Sequence, residues 1–401
     1  MNSPTKGTRL ILASTVGTPI RLQPQFVERV WGAARNSEEL SFLYPSDRSP
    51  TTSGNGPRIG EVWLTGSENR IANGPWAGKT LQEVTSTCGA ALLGDAPLLN
   101  HPSGQPVFPL LVKFLFTTEK LSVQVHPPDD FAKGLGSWGK TEMWHILRAA
   151  TGARLAIGFR DDVPVEVIAD ASRLRESADS GAIEKMLHWQ EVHRGETYFV
   201  PAGTVHAIGA GIVLCEIQQN SDITYRLYDY NRAGADGKPR PLHVSEAMEV
   251  IRPRGEGGRT EPYAWSNGPG TRQLLAACPY FATERWEFAA ASMDDENQKQ
   301  ILRFTQDDRV GRRPVIWIAL EGAAEFDAGG ERATARQGEV VVIPADTTSY
   351  NVCPLAPSLF LRTYPPDWNQ DIVEPLRALG KTPEQLCRTI FPMPAGKGDA
   401  G

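Results

Sequence analysis

Two stretches of the sequence determine the predicted architecture: residues 121–147, LSVQVHPPDDFAKGLGSWGKTEMWHIL, and residues 195–208, GETYFVPAGTVHAI. Apolar and polar residues alternate in both stretches, and this alternation is typical of β-strands. Successive side chains of a strand point to opposite faces, so every second residue lies on the same side of the sheet. We therefore predict a β protein in which one face of these strands carries polar groups.

Several of these polar side chains can meet in one place. Ser122, Gln124 and His126 share a face of the first strand, and Glu142 lies on the next strand. His206 follows a tight Pro-Ala-Gly turn that can bring a second imidazole to them. Two imidazoles, a carboxylate and an amide oxygen suit a divalent metal of borderline character, with zinc as the first choice. We predict one divalent ion per chain, held by Gln124, His126, Glu142 and His206.

A structural role for the histidines is the alternative. A single histidine near a strand end is more often a hydrogen-bonded structural residue than a metal ligand, and this applies to His126 taken alone. The Gln-x-His pair, the following Glu142 and the Pro-x-Gly-x-x-His turn together favour the metal site. His188 and His193 lie outside any ligand motif. We predict surface or capping positions for these two.

The same motifs carry a family resemblance. Gly195, then five residues, then Pro201-Ala202-Gly203, then two residues and His206 resembles the second metal motif of cupin barrels. The segments QVHP, GKTEMWHIL, GETYFVPAGTVHAIG and SDITYRLYDYNR resemble those of type I mannose-6-phosphate isomerases in the shorter bacterial form. The resemblance runs from about residue 19 to about residue 362. It implies a mainly β fold of two cupin-type (jelly-roll) barrels and a zinc-dependent isomerase of carbohydrate metabolism.

The resemblance also implies a reaction. Enzymes of this family interconvert mannose 6-phosphate and fructose 6-phosphate by moving a proton between C1 and C2 through a cis-enediol. The candidates for proton transfer are Lys140, which shares a strand face with Glu142, and Asp222. Arg226 is the candidate for stabilising negative charge. Ser122 and Lys113, with Arg226, are the candidates for binding the substrate phosphate.

Arg226 has two possible roles by sequence alone. In SDITYRLYDY, residues 221–230, the alternation places Arg226 on the same face as Asp222. A basic group near a metal can bind an anion or oxyanion. It can equally be a surface arginine paired with Asp222 or Asp229. The strand pattern leaves both roles open, and the family resemblance favours the first, with Asp222 as the acidic partner.

Length, charge and cysteine usage limit the class of protein. The 401 residues are enough for two domains with a full core each. A net charge of −6 gives no basic surface of the kind that binds nucleic acid. Five scattered cysteines without CxxC spacing indicate reduced thiols of a cytoplasmic protein. We find no signal-peptide pattern and no apolar run long enough for a membrane span. We expect a small-molecule sugar phosphate as partner, no nucleic acid or membrane, and a monomer or homodimer.

The chain divides into four predicted regions. These are a flexible N-terminus over residues 1–18, a metal-binding cupin barrel over 19–251 with a helical insert at 163–190, a degenerate second barrel over 263–365, and a helical tail over 366–401. Within them, residues 36–58 read as a loop and residues 252–262 as a linker. The tail predicts one helix over 372–379 and a second beginning at Thr382, whose TPEQ sequence has capping-box features.

The second half of the chain repeats the first. GEVVVIPADTTSYNV at residues 338–352 aligns with GETYFVPAGTVHAI, since each begins with Gly-Glu and reaches Pro after the same gap. Asp346 stands at the position of Gly203 and Ser349 at that of His206, and no histidine follows His243. We predict a second barrel that keeps the shape but lacks metal ligands.

Two other function classes remain. A cupin oxygenase usually has three histidines and a closer His-x-His and Glu spacing. Gln124 and the long loop over residues 127–141 argue against it. A non-catalytic sugar-binding cupin has no need for a base beside a metal, so Lys140 and Arg226 argue against that class.

Overall fold

The structure is a computed structural model that describes residues 17–45, 56–94, 100–234, 237–255, 257–265, 271–288, 301–305, 312–382 and 386–391. Three predictions fall largely outside these residues: the flexible N-terminus, the beginning of the second tail helix at Pro383, and the end of the tail.

The described residues form a mainly β protein, as predicted. The strands of the first half are β1 (Ile20–Leu22), β2 (Gln25–Ala33), β3 (Ile59–Trp63), β4 (Leu110–Thr117), β5 (Val123–Val125), β6 (Glu142–Ala149), β7 (Arg154–Phe159), β8 (Leu187–Glu191), β9 (Thr197–Val200), β10 (His206–Ile208), β11 (Ile212–Gln219), β12 (Tyr225–Tyr228) and β13 (Gly258–Arg259). Those of the second half are β14 (Tyr263–Trp265), β15 (Thr271–Ala277), β16 (Ala282–Phe288), β17 (Leu302–Thr305), β18 (Val315–Glu321), β19 (Ala323–Ala328), β20 (Glu331–Arg336), β21 (Val340–Ile343), β22 (Ser349–Pro354) and β23 (Ser358–Tyr364).

The helices are short. They are α1 (Glu38–Ser41), α2 (Leu81–Leu93), α3 (Asp129–Ala132), α4 (Val165–Ala169), α5 (Ala171–Asp179), α6 (Ile183–Met186), α7 (Val244–Val250) and α8 (Glu374–Ala378), with 3-10 turns at Gly74–Trp76 and Lys133–Leu135 and a π-helix at Trp368–Val373. α2 begins at a capping box in which the Thr80 side chain and Glu83 each accept the other's backbone N–H. Within the described ranges we find no helix with the length and apolar character of a membrane span.

Each half of the chain builds a two-sheet barrel. In the first, a five-stranded sheet, β12-β5-β10-β7-β8, faces a seven-stranded sheet, β13-β9-β6-β11-β4-β3-β2. In the second, a four-stranded sheet, β17-β22-β19-β20, faces a seven-stranded sheet, β1-β21-β18-β23-β16-β15-β14. All the strand pairs within these sheets are antiparallel, the arrangement of a jelly roll. The predicted pair of cupin-type barrels is confirmed.

The two barrels pack through their seven-stranded sheets. One hydrophobic cluster contains Phe114 and Ile217 from the first barrel together with Ile316 and Leu361 from the second. Because side chains alternate along a strand, the other faces of these sheets point into the barrels. Trp144 and Leu214 therefore lie in a separate cluster inside the first barrel.

Matching hydrogen bonds support the internal repeat. The Gly195 amide donates to Ile146 O, and the Gly338 amide donates to Ala319 O, each at 2.8 Å. Both glycines have φ above 80°, in the left-handed region that favours glycine. After them, Thr204 N donates to Pro201 O and Thr347 N donates to Pro344 O, each at 3.1 Å. The two motifs are thus built alike.

Several segment boundaries differ from the sequence predictions. The predicted loop 36–58 contains α1. The helical insert ends at Met186, because the next residues form β8, which pairs with β7. The predicted linker 252–262 contains β13, which adds to the first barrel beside β9. In the tail, the predicted 372–379 helix is a π-helix followed by α8. β1 pairs with β21, so the start of the first predicted domain joins the sheet of the second barrel.

Candidate metal centre and active site

Three predicted ligands meet inside the first barrel. β5 leads into His126, β6 begins at Glu142 and β10 begins at His206. One ligand atom from each lies within 4.8 Å of the other two, and all three side chains are buried. Glu142 Oε1 is 3.4 Å from His206 Nε2, and Glu142 Oε2 is 3.7 Å from His126 Nε2.

The backbone fixes the two imidazoles. His126 Nδ1 lies 2.8 Å from Ile223 O, and His206 Nδ1 lies 2.9 Å from Thr204 O. Since a carbonyl oxygen can only accept, each Nδ1 carries the proton, and each Nε2 offers a lone pair to the centre. Burial lowers the pKa of His206 to about 4 and that of His126 well below its ordinary value, so both rings are neutral near pH 7. Neutral imidazoles are the form that binds a metal.

Gln124, the fourth predicted metal ligand, lies beside His206. Its register partner across the sheet is His206, and its amide nitrogen lies 3.2 Å from His206 Nε2, while Ser122 Oγ donates to its Oε1 at 2.9 Å. A 180° flip of the Gln124 side-chain amide would point its oxygen toward the centre, and its nitrogen would then donate to Ser122. The position of Gln124 is therefore suitable for an oxygen ligand.

The residues present suit a divalent cation. Glu142 Oε2 is buried and has no hydrogen-bond partner in the part of the chain that the structure describes, although the Lys140 ammonium is 3.3 Å away. A buried carboxylate oxygen without a hydrogen bond is costly unless a cation compensates it. Two neutral nitrogen donors and a carboxylate form a donor set typical of catalytic zinc sites, which keep a position open for substrate or water.

A chain of buried charges leads away from the centre. The Lys140 ammonium lies 3.1 Å from His126 Nε2 and 3.8 Å from Glu216 Oε1. Glu216 Oε2 is 3.2 Å from the Lys113 ammonium, which in turn is 3.9 Å from Glu61. Burial is the main cause that raises the pKa of Glu216 to about 7. Glu216 thus links two lysines at the base of the site.

Glu216 was not predicted as a site residue. The signal was present, because Glu216 and Gln218 share one face of a strand that is apolar from Ile212 to Cys215. What the sequence does not give is the register of β11 against β4 and β6, which places Glu216 between Lys113 and Trp144.

The centre forms part of the wall of a cavity of about 660 Å³. Gln124, Lys140, Glu142, Asp222 and Arg226 all line it. Among the described residues of its wall, six side chains are cationic and five are acidic, an excess of one positive charge within a chain of net charge −6. This balance favours an anionic ligand.

Arg226 is oriented as a cavity residue. Its Nη1 donates to Pro241 O at 3.1 Å, its Nε is buried without a partner, and within the described residues it forms no ion pair. Asp229 is instead occupied by Arg232 and by a two-bond contact from Arg240. The alternative of an Arg226–Asp229 pair does not hold. Asp222 is exposed and also lines the cavity.

The remaining predicted residues lie where expected or nearby. Ser122 and Lys113 both line the cavity, but each already engages another site residue. His188 and His193 are exposed and do not belong to the group of close potential ligands.

Comparison with known proteins agrees with this geometry. The family model for the type I phosphomannose isomerase catalytic domain matches residues 20–142. A probable mannose-6-phosphate isomerase of Bacillus subtilis, GmuF, is 34% identical over 71% of this chain and 84% of its own length. The chain belongs to the type I phosphomannose isomerase family.

Other members of the phosphomannose isomerase family agree with this assignment. The mannose-6-phosphate isomerase of Streptococcus mutans is 29% identical over 83% of this chain and 94% of its own. The crystal structure of the B. subtilis mannose 6-phosphate isomerase superposes with a TM-score of 0.69 at 26% identity, covering 86% of this chain and 99% of that one. By class the chain is therefore an isomerase of this family.

Proposed function

We propose that this isomerase interconverts mannose 6-phosphate and fructose 6-phosphate with the help of a zinc ion. The observation that carries the proposal is the convergence of His126, Glu142 and His206 beside a cavity. Glu142 lines this cavity together with Lys140 and Arg226. The relatives are named for this substrate. The positive excess of the cavity agrees with a phosphorylated sugar.

The metal would be held by His126, Glu142 and His206, with Gln124 as a fourth ligand. When bound there, zinc would polarise the substrate carbonyl and favour negative charge on its oxygen. The buried, unpartnered Glu142 Oε2 and the two Nε2 lone pairs support this assignment.

The protein's own residues would move the proton and bind the anion. Lys140 lies beside the centre, held between Glu142 and Glu216 at 3.3 and 3.8 Å. Asp222 is the second candidate, and it also lines the cavity. Either could take the proton from C2 and return it to C1, which leaves a cis-enediol between the two steps. Arg226, which has no carboxylate partner among the described residues, would stabilise the negative charge of the enediol or hold the phosphate.

Ser122 and Lys113 remain proposed phosphate contacts, in support of Arg226. Both reach the cavity, although the Lys113 charge is offset by Glu216 and Glu61. Among the described residues Arg226 forms no such ion pair. The cytoplasm stays the predicted location, and Cys88, Cys215 and Cys278 are free thiols in agreement with it.

A coupled assay tests the function directly. Purified protein is assayed on mannose 6-phosphate as isolated, after treatment with a chelator, and after zinc is returned. We expect activity that the chelator removes and zinc restores. Absence of isomerisation by the zinc-loaded protein, with sugar binding retained, would favour a binding module, and oxygen consumption would favour an oxygenase.

A further inference from the structure

A second cavity lies at the junction of the two barrels. It has a volume of about 460 Å³, within the range of small-molecule sites. The first barrel contributes the middle of β6 and the turn at Arg194, and the second barrel contributes the end of β16, the end of β18 and the beginning of β23. Its apolar wall includes Phe288, Leu320 and Leu359.

A buried histidine forms part of this wall. His145 is 2% exposed, and its Nδ1 lies 2.9 Å from Thr197 Oγ1. Its Nε2 has no hydrogen-bond partner among the residues that the structure describes. If the Thr197 hydroxyl donates to Nδ1, the neutral ring carries its proton on Nε2 and can donate it to a ligand.

Two arginines line the same cavity. Arg194 pairs with Glu321, and Arg285 lies 3.1 Å from Glu287. Both acidic partners are about half exposed, and such surface ion pairs contribute about 0–1 kcal/mol. Both carboxylates also line the cavity, so the described charges of its wall balance, and an incoming anion would have to replace the carboxylates in these weak ion pairs. Both arginines are near enough to His145 to add to the effect of burial in lowering its pKa.

This cavity is separate from the metal centre. The two cavities share no lining residue. His145 lies on β6 three residues after Glu142, and its side chain points to the face opposite Trp144, toward the junction of the barrels. A ligand here would not contact the sugar in the first cavity.

We propose that the junction cavity binds a small organic anion, a carboxylate or a phosphate monoester. Its charged group lies against Arg194 and Arg285 and accepts a hydrogen bond from His145 Nε2. Its apolar part packs on Phe288 and Leu320. The site is independent of the proposed substrate and of the metal.

Calorimetric titration of the full-length, metal-loaded protein tests this site. Succinate and glycerol 3-phosphate serve as separate probes, so that the two kinds of anion are distinguished. The test variant is R194Q/R285Q. The control is R173Q/R332Q, which removes the same charge from two exposed arginines that pair with Asp170 and Glu325 away from both cavities.

We expect at least one probe to bind wild type and the control alike, and to bind R194Q/R285Q at least about tenfold more weakly, with turnover and thermal unfolding unchanged. H145F, which keeps an aromatic ring at this position but removes both ring nitrogens, should weaken the same probe and leave metal content intact. The proposal is overturned if R194Q/R285Q binds both probes as tightly as wild type does. It is also overturned if wild type binds neither probe at a probe concentration of up to about 10 mM.

Discussion

Lys113 and Glu284 occupy corresponding positions on corresponding strands of the two barrels, and they carry opposite charges. Lys113 on β4 pairs in register with Glu216 on β11, and Glu284 on β16 pairs in register with Arg362 on β23. In each barrel the next strand across carries a tryptophan, Trp144 or Trp317.

The correspondence extends to a third residue. Glu61 lies 3.9 Å from Lys113, and Arg272 forms an ion pair with Glu284 from the corresponding strand β15. The first barrel thus holds two carboxylates around an ammonium beneath its metal centre, and the second holds two guanidinium groups around a carboxylate. Both barrels thus contain a buried ion cluster at the same position, but the charges of the corresponding residues are opposite.

Glu284 should therefore stabilise the second barrel strongly. Replacing it by Gln leaves Arg362 buried without a counter-charge, and breaking a buried pair costs about 3–5 kcal/mol. We expect the free energy of unfolding of E284Q at pH 7, measured with urea, to be lower by about 3 kcal/mol. E325Q, at an exposed pair with Arg332, should change it by less than about 0.5 kcal/mol.

The effect of Glu284 should depend on pH. The adjacent arginines outweigh burial and lower its pKa from 4.5 to about 2. A carboxyl with a lowered pKa stabilises the fold above its unfolded pKa and loses that contribution as the pH falls toward its folded pKa. The stability difference between wild type and E284Q should narrow from about 3 kcal/mol at pH 7 to roughly 1 kcal/mol at pH 3. A difference that stays constant over this range contradicts the assigned ion cluster.

Metal content tests the centre itself. Elemental analysis of the purified protein should give about one divalent ion per chain, and H126A and H206A should each lose it. H188A and H193A serve as controls because both histidines are exposed, and their metal content should equal that of wild type. Full occupancy in H126A or H206A would exclude the site as described.

The second barrel should be dispensable for metal binding. Ser349 begins β22 at the position that His206 has at the beginning of β10. S349A should therefore keep its metal and its turnover near wild type. Loss of turnover in a folded S349A protein would place the second barrel in the active site.

The sequence predicts that the proposed ligands lie close together, because strand alternation marks Gln124, His126 and Glu142 and a local turn marks His206. The turn before His206 needs Gly203, whose φ is 86° and where an added Cβ would lie 2.9 Å from Val250 O. A constraint of this kind can be predicted from a few neighbouring residues.

What the sequence does not reveal depends on register and on long-range pairing. Glu216 lies in the site because β11 pairs between β4 and β6, and the sequence does not reveal this pairing. The pairing of Ile20–Leu22 with Val340–Val342 joins positions more than 300 residues apart. A strand of three residues is too short for its sequence to indicate which strand it pairs with. The predicted helical insert extends too far because the sequence pattern of residues 187–190 suits a helix or a strand, and only the pairing with β7 decides for a strand.

Arg226 distinguishes catalysis from binding. R226A should keep its metal and its fold but lose turnover by at least about a hundredfold, the scale for removing one positioned charge stabiliser. R173A, at an exposed pair, is the matched control and should retain turnover. If turnover of R226A is within about threefold of wild type, Arg226 lines the cavity but does not stabilise charge in the reaction.

Isotope exchange then tests the route of the proton. Wild type incubated with mannose 6-phosphate in heavy water should place deuterium at C1 of fructose 6-phosphate, because a proton taken from C2 by Lys140 or Asp222 can exchange with solvent before its return. The exposure of Asp222 makes it the faster-exchanging carrier, whereas the Lys140 ammonium is buried between Glu142 and Glu216. A D222N protein that still isomerises but incorporates much less deuterium would identify Lys140 as the base. A D222N protein without turnover, which retains its metal, would identify Asp222.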